Sequence, residues 1–480
     1  MTHPPDSNFL VPLVMFGWPF VLVAMFMMMP SRRAVIVGLI TAWLFLPVAE
    51  YQFRGIPEYN KMTATSISLF LATLFFDPTR VLSFRPKWID LPMLIVCFCP
   101  LASSLTNGLG LYDGLSESNG QLMKWGLPYF LGRVYFTDYQ SMRELAVGVF
   151  IGGLIYLPFC WFEMRMSPQL HRMTYGYHQH AFVQTIRMGG YRPMIFLQHG
   201  LMVGMWMTTA TLCGLALWQT KVLTSIRGIP MWMILSVLGV TTIMCRSTGA
   251  ILLLMAGVGV FITIRYMRTS LGLVALAGVC AFYIAVRAFG IWDGSEMIDA
   301  TNSVFGAERA QSVATRVYNE EALTQKARIQ PVFGWGGWGR SRIHNESGKD
   351  ITITDSQWVI TLGANGLLGM TAMLAAVLLP AILLARKVPP AWWNHPVASP
   401  VAALAVVVVL WMADNTMNAM FNPVYVVIIG GLAGLRPLSQ LDLPSLAVRR
   451  VVTRRPHVPR RKKGRPVPPR AQPAQEPRAF

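Results

Sequence analysis

The sequence predicts an all-α fold: a polytopic transmembrane helical bundle of about 12–13 spans with one large external loop containing an amphipathic helix. Three observations predict it. The chain is 54% hydrophobic and 13% charged, with a mean hydropathy of +0.45, too little charge to cover a soluble chain of 480 residues. The apolar residues come in long blocks and not at helical or strand spacing. About twenty such residues cross the hydrocarbon, and backbone polar groups in lipid must be satisfied within the segment, so the blocks are helices. Basic residues fall on alternate connections, the positive-inside pattern.

The predicted spans cover residues 9–29, 34–49, 62–76, 89–106, 122–137, 144–163, 195–218, 228–245, 249–266, 270–289, 356–385, 399–414 and 419–435. The last two blocks also read as one broken helix. The first block is expected to be a retained span, because MTHPPDSN lacks the positive run of a secretory signal. Arg32, Arg33, Arg80, Arg85, Lys87, Arg143, Lys221, Arg227, Arg265, Arg268, Arg386 and Lys387 mark one side of the bundle. This places 107–121, 164–194, 290–355 and 414–418 on the other, external side. The chain divides into helices over 1–289, a large loop over 290–355, C-terminal helices over 356–438 and a basic tail over 439–480.

The net charge of +19 does not point to nucleic acid. Much of it lies in the Pro-, Arg- and Lys-rich tail, read as disordered, cytoplasmic and in contact with anionic membrane lipid. Cys97, Cys99, Cys160, Cys213, Cys245 and Cys280 lie in or beside apolar blocks and read as small buried hydrophobes. No HExxH, P-loop, dinucleotide fingerprint or nucleophile elbow is present.

Two external segments stand out. Residues 164–194 carry Arg165, Arg172, Arg187 and Arg192 with His171, His178 and His180, against the positive-inside bias. An anionic ligand explains them, and so does pairing with lipid headgroups. His178 and His180 beside His171 come nearest to a metal set, but lack acidic or thiol partners, so no metal site is expected. In the large loop, 307–328 reads as an amphipathic helix with Ala310, Val313, Ala314, Val317 and Leu323 near one face, ended by Pro331. The turn PVFGWGGWGR follows at 331–340. Gly334, Gly336, Gly337 and Gly339 permit close backbone approach. Trp335 and Trp338 suit a sugar face or the membrane interface. Arg340, Arg342 and, at the mouth of the next span, Asp355 complete a set that fits an anionic glycan.

The order of these features resembles the O-antigen ligase and polymerase family, bacterial multi-spanning enzymes that join glycans carried on a polyprenyl diphosphate. The resemblance rests on Arg316 in TRVYNEEAL, on PVFGWGGWGR at 331–340, on DSQWVITLGANGLLG at 355–369 and on YRPMIFLQHGLMVGMW at 191–206. It implies a glycosyltransferase of surface or exopolysaccharide biosynthesis in the bacterial inner membrane, with the large loop periplasmic. Its partners would be a polyprenyl-diphosphate-linked glycan and an acceptor glycan or lipid. Arg316, Arg192, Arg340 and Arg187 would stabilise the diphosphate, Asp355 or His344 would take the acceptor proton, and no cofactor or metal is implied. Trp335, Trp338, Gly334 and Gly336 would contact substrate. One departure is plain. The ligase subgroup carries a His-Asn pair where Asp355-Ser356 stands here, while His344-Asn345 lies upstream. That leaves ligase against polymerase, and the base, open.

Plainer readings accompany these. Arg316 has Glu320 one turn later, a surface pair worth a few tenths of a kcal/mol. Asp355 suits an N-cap. Arg133 and Arg287, the exceptional charges inside blocks, read as snorkelling to an interface. A permease for a small anion or polysaccharide precursor is the rival function, and would be expected to show mid-span charges and repeated broken helices.

Overall fold

The computed structural model describes residues 7–53 and 56–438. The basic tail expected over 439–480 lies outside the described residues. The protein is an all-α polytopic helical bundle, and each predicted block carries a helix. Helices at Leu10–Met28, Trp88–Thr106, Tyr139–Met166, Gly200–Gln219, Thr248–Met267, Leu271–Ala288 and Gln357–Lys387 are long and apolar enough to cross a membrane. Lys61–Phe76, Met231–Met244, Ser399–Asn415 and Pro423–Gly434 are shorter apolar helices. The last two are separate, joined by the turn at 416–422, so the broken-helix reading fails there. The break lies instead inside Gln357–Ile382, at Gly366.

Local sequence explains the ends. Asn60 accepts from the backbone of Met62 and Thr63 while Thr63 returns a bond, and Asp138 with Ser141 does the same. His199 and Asn422 cap the helices that follow them. Glycine sets the closest packing. The helix Leu127–Tyr135 lies on Pro423–Gly434 so tightly that a Cβ on Gly132 or Gly430 would meet the facing backbone, the small-residue contact typical of helices in lipid.

Contacts between connections fall into two groups. At one end, Arg32 pairs with Asp138, Arg133 reaches the carbonyl of Arg85, Arg436 bonds Thr137, and Asn394 bonds the carbonyl of Ile264. At the other, Asn8 meets Tyr175, Arg340 meets Asp113, and Arg316 meets Met417. No bond in either set joins the two groups of connections. The large loop is built of two helices, Ser295–Phe305 and the expected amphipathic one, Ala307–Ala327, with Ala310, Val317 and Leu323 buried.

Arg133 and Arg287 do not snorkel. Arg133 binds Asp90 at 2.7 and 3.1 Å, with Tyr129 donating to the same carboxylate. Arg287, also buried, lies 3.6 Å from Glu320 and 3.2 Å from Glu321, and donates to the carbonyl of Val317. Each charge is matched because an unpaired ion costs several kcal/mol in such surroundings. The second pair pins the loop helix to the bundle.

Candidate functional site

The site begins with Glu163, buried at the end of the helix Tyr139–Met166. Its carboxylate accepts from the backbone N–H of Leu170, Met194 and Ile195 at 2.8–3.0 Å. This ties both ends of the arginine-bearing segment to one side chain. Between them a short hairpin, Ile186–Arg187 with Gly190–Tyr191, rests on Arg246, whose guanidinium donates to the carbonyls of Arg187 and Met188. Gly190 leaves the room that guanidinium fills.

Arg192 is set into this frame. It is 5% exposed and donates only to the backbone carbonyl of Arg246, at 3.0 and 3.2 Å. Among the described residues no carboxylate pairs with it. Burial, then the neighbouring charges of Arg187, Arg309 and Arg316, hold its pKa down to about 10. The loop helix thus brings Arg309 and Arg316 to the arginines of the earlier segment. Arg187 and Arg309 make no side-chain hydrogen bond or ion pair among the described residues. Burial and this same positive field, with His180, push His199 down to about 3, and the His180 and His199 rings meet edge to face.

Arg316 does not pair with Glu320, which is taken by Arg287, Tyr283 and Ser356. Its Nε donates to the carbonyl of Met417 at 3.1 Å and lies 3.5 Å from Asp355. Its other nitrogen donates to Ser312. Asp355 is 41% exposed and is not the helix cap, since Ser356 holds that position. Asp414, on the same turn as Met417, is buried; Asn418 donates to one oxygen at 2.9 Å and the other has no partner. The arrangement is an excess of guanidinium groups around one accessible carboxylate, and it suits a polyanion.

A scan against protein-family models finds no match for this chain, and a search of curated proteins finds none.

The glycine turn has other work. Trp335 and Gly336 donate to the carbonyls of Gly363 and Ala364 at 2.9 and 3.0 Å, and Leu367 and Leu368 donate to Pro331 and Val332 at 2.7 and 3.2 Å. The turn therefore closes the break in the helix Gln357–Ile382, where Gly366 takes φ 63°, ψ −165°. Ser103 adds a second bond to the carbonyl of Ala364, and Asn107 donates to that of Gly334. A Cβ on Gly334 would strike backbone at 363–366, and one on Gly366 would strike backbone at 332–333. Trp335 is half-buried, with its indole N–H on the carbonyl of Lys326. Gly334, Gly336 and Trp335 are thus occupied by the fold.

Arg340 is also occupied, bound two-fold to Asp113 at 2.6 and 3.0 Å. Arg342 pairs with Asp350 at 2.8 Å. His344 is exposed in the hairpin that pairs it with Asp350, and no bond joins it to Arg316 or Asp355 among the described residues. His171 is buried, bonded through its ring to Val48 and Tyr177, which separates it chemically from His178 and His180. Among the described residues no group of three or more His, Cys, Asp or Glu is placed to hold a metal ion.

Sequence reasoning passed over Arg309, Arg246, His199 and Glu163. Arg309 stands seven residues before Arg316, hence on the same helix face, and that signal was available. Glu163 and Arg246 look like ordinary charges at block ends, and only the fold brings the Arg192 segment to them.

Proposed function

We propose that the arginine cluster binds the diphosphate of a polyprenyl-linked glycan and that the protein is a membrane glycosyltransferase of the ligase or polymerase type. The observation that carries the reading is Arg192, buried and without a carboxylate partner among the described residues, close enough to Arg187, Arg309 and Arg316 for their charges to lower its pKa. Like charges held together oppose folding unless something anionic uses them. In the proposed reaction an acceptor hydroxyl attacks the anomeric carbon and a new C–O glycosidic bond forms. The bond from that carbon to the diphosphate breaks, and the polyprenyl diphosphate leaves with both bonding electrons. Arginine forks neutralise the charge gathering on it, the largest expected contribution. The hydroxyl proton passes to Asp355, which diphosphate binding frees from Arg316. Asp355 is favoured over His344 because it alone touches the cluster.

The test is a deletion strain complemented with wild type or Arg316→Ala. The expected result is wild-type glycan with the first and defective glycan with the second, while the variant remains membrane-inserted. Short, unpolymerised chains identify a polymerase. Lipid-linked glycan that accumulates unattached identifies a ligase. An unchanged polysaccharide profile with altered uptake of an anionic solute would favour the permease and sink this reading.

A further inference from the structure

A cleft of about 200 Å³ is lined among others by Glu117, Gln121, Gly337, Trp338, Ser341 and Thr354. Thr354 adjoins Asp355 in the chain, and Leu323, two turns beyond Arg316 on the loop helix, forms part of the wall. The cleft is smaller than the ~300–1,000 Å³ of drug-sized sites, so it fits one ring of a larger ligand.

Its chemistry differs from that of the arginine cluster. Trp338 is 63% exposed and is held at φ 57° between Gly337 and Gly339, a conformation that a bulky residue rarely adopts and that recurs at ligand sites. Gly337 lies directly on the Glu117 carboxylate, where a Cβ would collide. Glu117, Gln121 and Ser341 make no side-chain hydrogen bond among the described residues, although each lines the cleft. The nearby cation Arg342 is committed to Asp350. An indole face with unspent acceptors and donors around it matches a pyranose ring, apolar on its C–H face and hydroxylated at its rim.

We propose that this cleft is the acceptor subsite, taking one neutral or amino sugar unit of the receiving glycan. This rests on the transfer reading for its role as acceptor, though not for its sugar chemistry. Trp338 stacks on the ring. Glu117 accepts from a hydroxyl or ammonium group, and its negative charge, with that of Asp113 behind it, opposes a uronic acid. A sugar seated here presents its free hydroxyl past Thr354 to Asp355, with the diphosphate on the far side of that carboxylate.

The experiment uses the full-length protein in lipid nanodiscs and three probes: maltotriose, a glucosamine trimer and a galacturonate trimer, followed by saturation-transfer NMR. The neutral and amino trimers are expected to bind and the acidic one not. Trp338→Ala and, independently, Gln121→Ala should weaken binding, the first at least tenfold. Glu117→Gln should erase the preference for the amino sugar and admit galacturonate. Arg316→Ala should leave sugar binding unchanged. Failure of all three probes to bind, binding indifferent to Trp338 and Glu117, or preference for galacturonate each overturns the subsite. An unchanged polysaccharide profile in the deletion strain overturns the acceptor role and the transfer reading together, while the probe measurements judge the sugar site alone.

Discussion

Two regions at the large-loop end of the bundle carry the residues that the sequence singled out, and they are built on opposite principles. In the seam between 331–336 and 363–368 the polar groups facing the break find backbone or side-chain partners, and its glycines are where a Cβ would strike the facing chain. In the arginine cluster, guanidinium groups crowd one another with few counter-ions. The seam is satisfied and closed, whereas the cluster is unsatisfied and open. Residues of the first kind hold the fold, and residues of the second kind are the ones to which the proposal gives a ligand.

The contrast breaks most sharply at Gly366. Alanine there must adopt φ 63° with ψ −165° and meet backbone, a cost on the order of 3 kcal/mol or more. Gly366→Ala should yield little monodisperse protein by fluorescence-detected size exclusion, whatever the ligand. Arg316→Ala should elute normally yet lose about 10²–10³-fold in glycan transfer. A folded, active Gly366→Ala, or an Arg316→Ala that fails to fold, would reverse the two assignments.

The next effect is pH-dependent. The folded His199 pKa, about 3, lies below the ordinary value of about 6.5. The folded state therefore favours the neutral ring, and the unfolded state takes the proton first. Stability should be intact above pH 6.5 and fall as pH drops below it, by at most about 1.4 kcal/mol per unit. His199→Asn, which keeps a cap, should flatten the profile in thermal melts between pH 7 and 5.

Two smaller effects sharpen the comparison. Arg340→Ala removes the partner of Asp113 and should cost on the order of 1 kcal/mol by thermal shift, with transfer activity reduced no more than a few-fold. Arg309→Gln should do the opposite. Relieving like-charge crowding should raise stability by a few tenths of a kcal/mol, a trade common at functional sites, while transfer falls.

The bundle was legible because lipid forces helix on any long apolar block, and because Lys and Arg label the connections. Arg192 was legible as a charge out of place, and Arg316 only through the resemblance that its segment carries. What the glycines do was not, because the pattern at 331–340 acquires meaning only against the break at Gly366, which nothing local announces. A permease reading of that break is weakened by the same bonds, since its backbone groups are spent on the turn. Glu117 was illegible for another reason. A lone acid in a polar connection looks like surface until Gly337 and Trp338 are laid over it.

The closed helix break also constrains the order of biogenesis. Until the preceding loop has folded, the backbone around Gly366 has no partners from 331–336. A lone segment over 357–382 emerging into lipid would carry those unpaired groups at a cost of several kcal/mol. Stable packing of the C-terminal helices is thus coupled to the folding of the loop that precedes them.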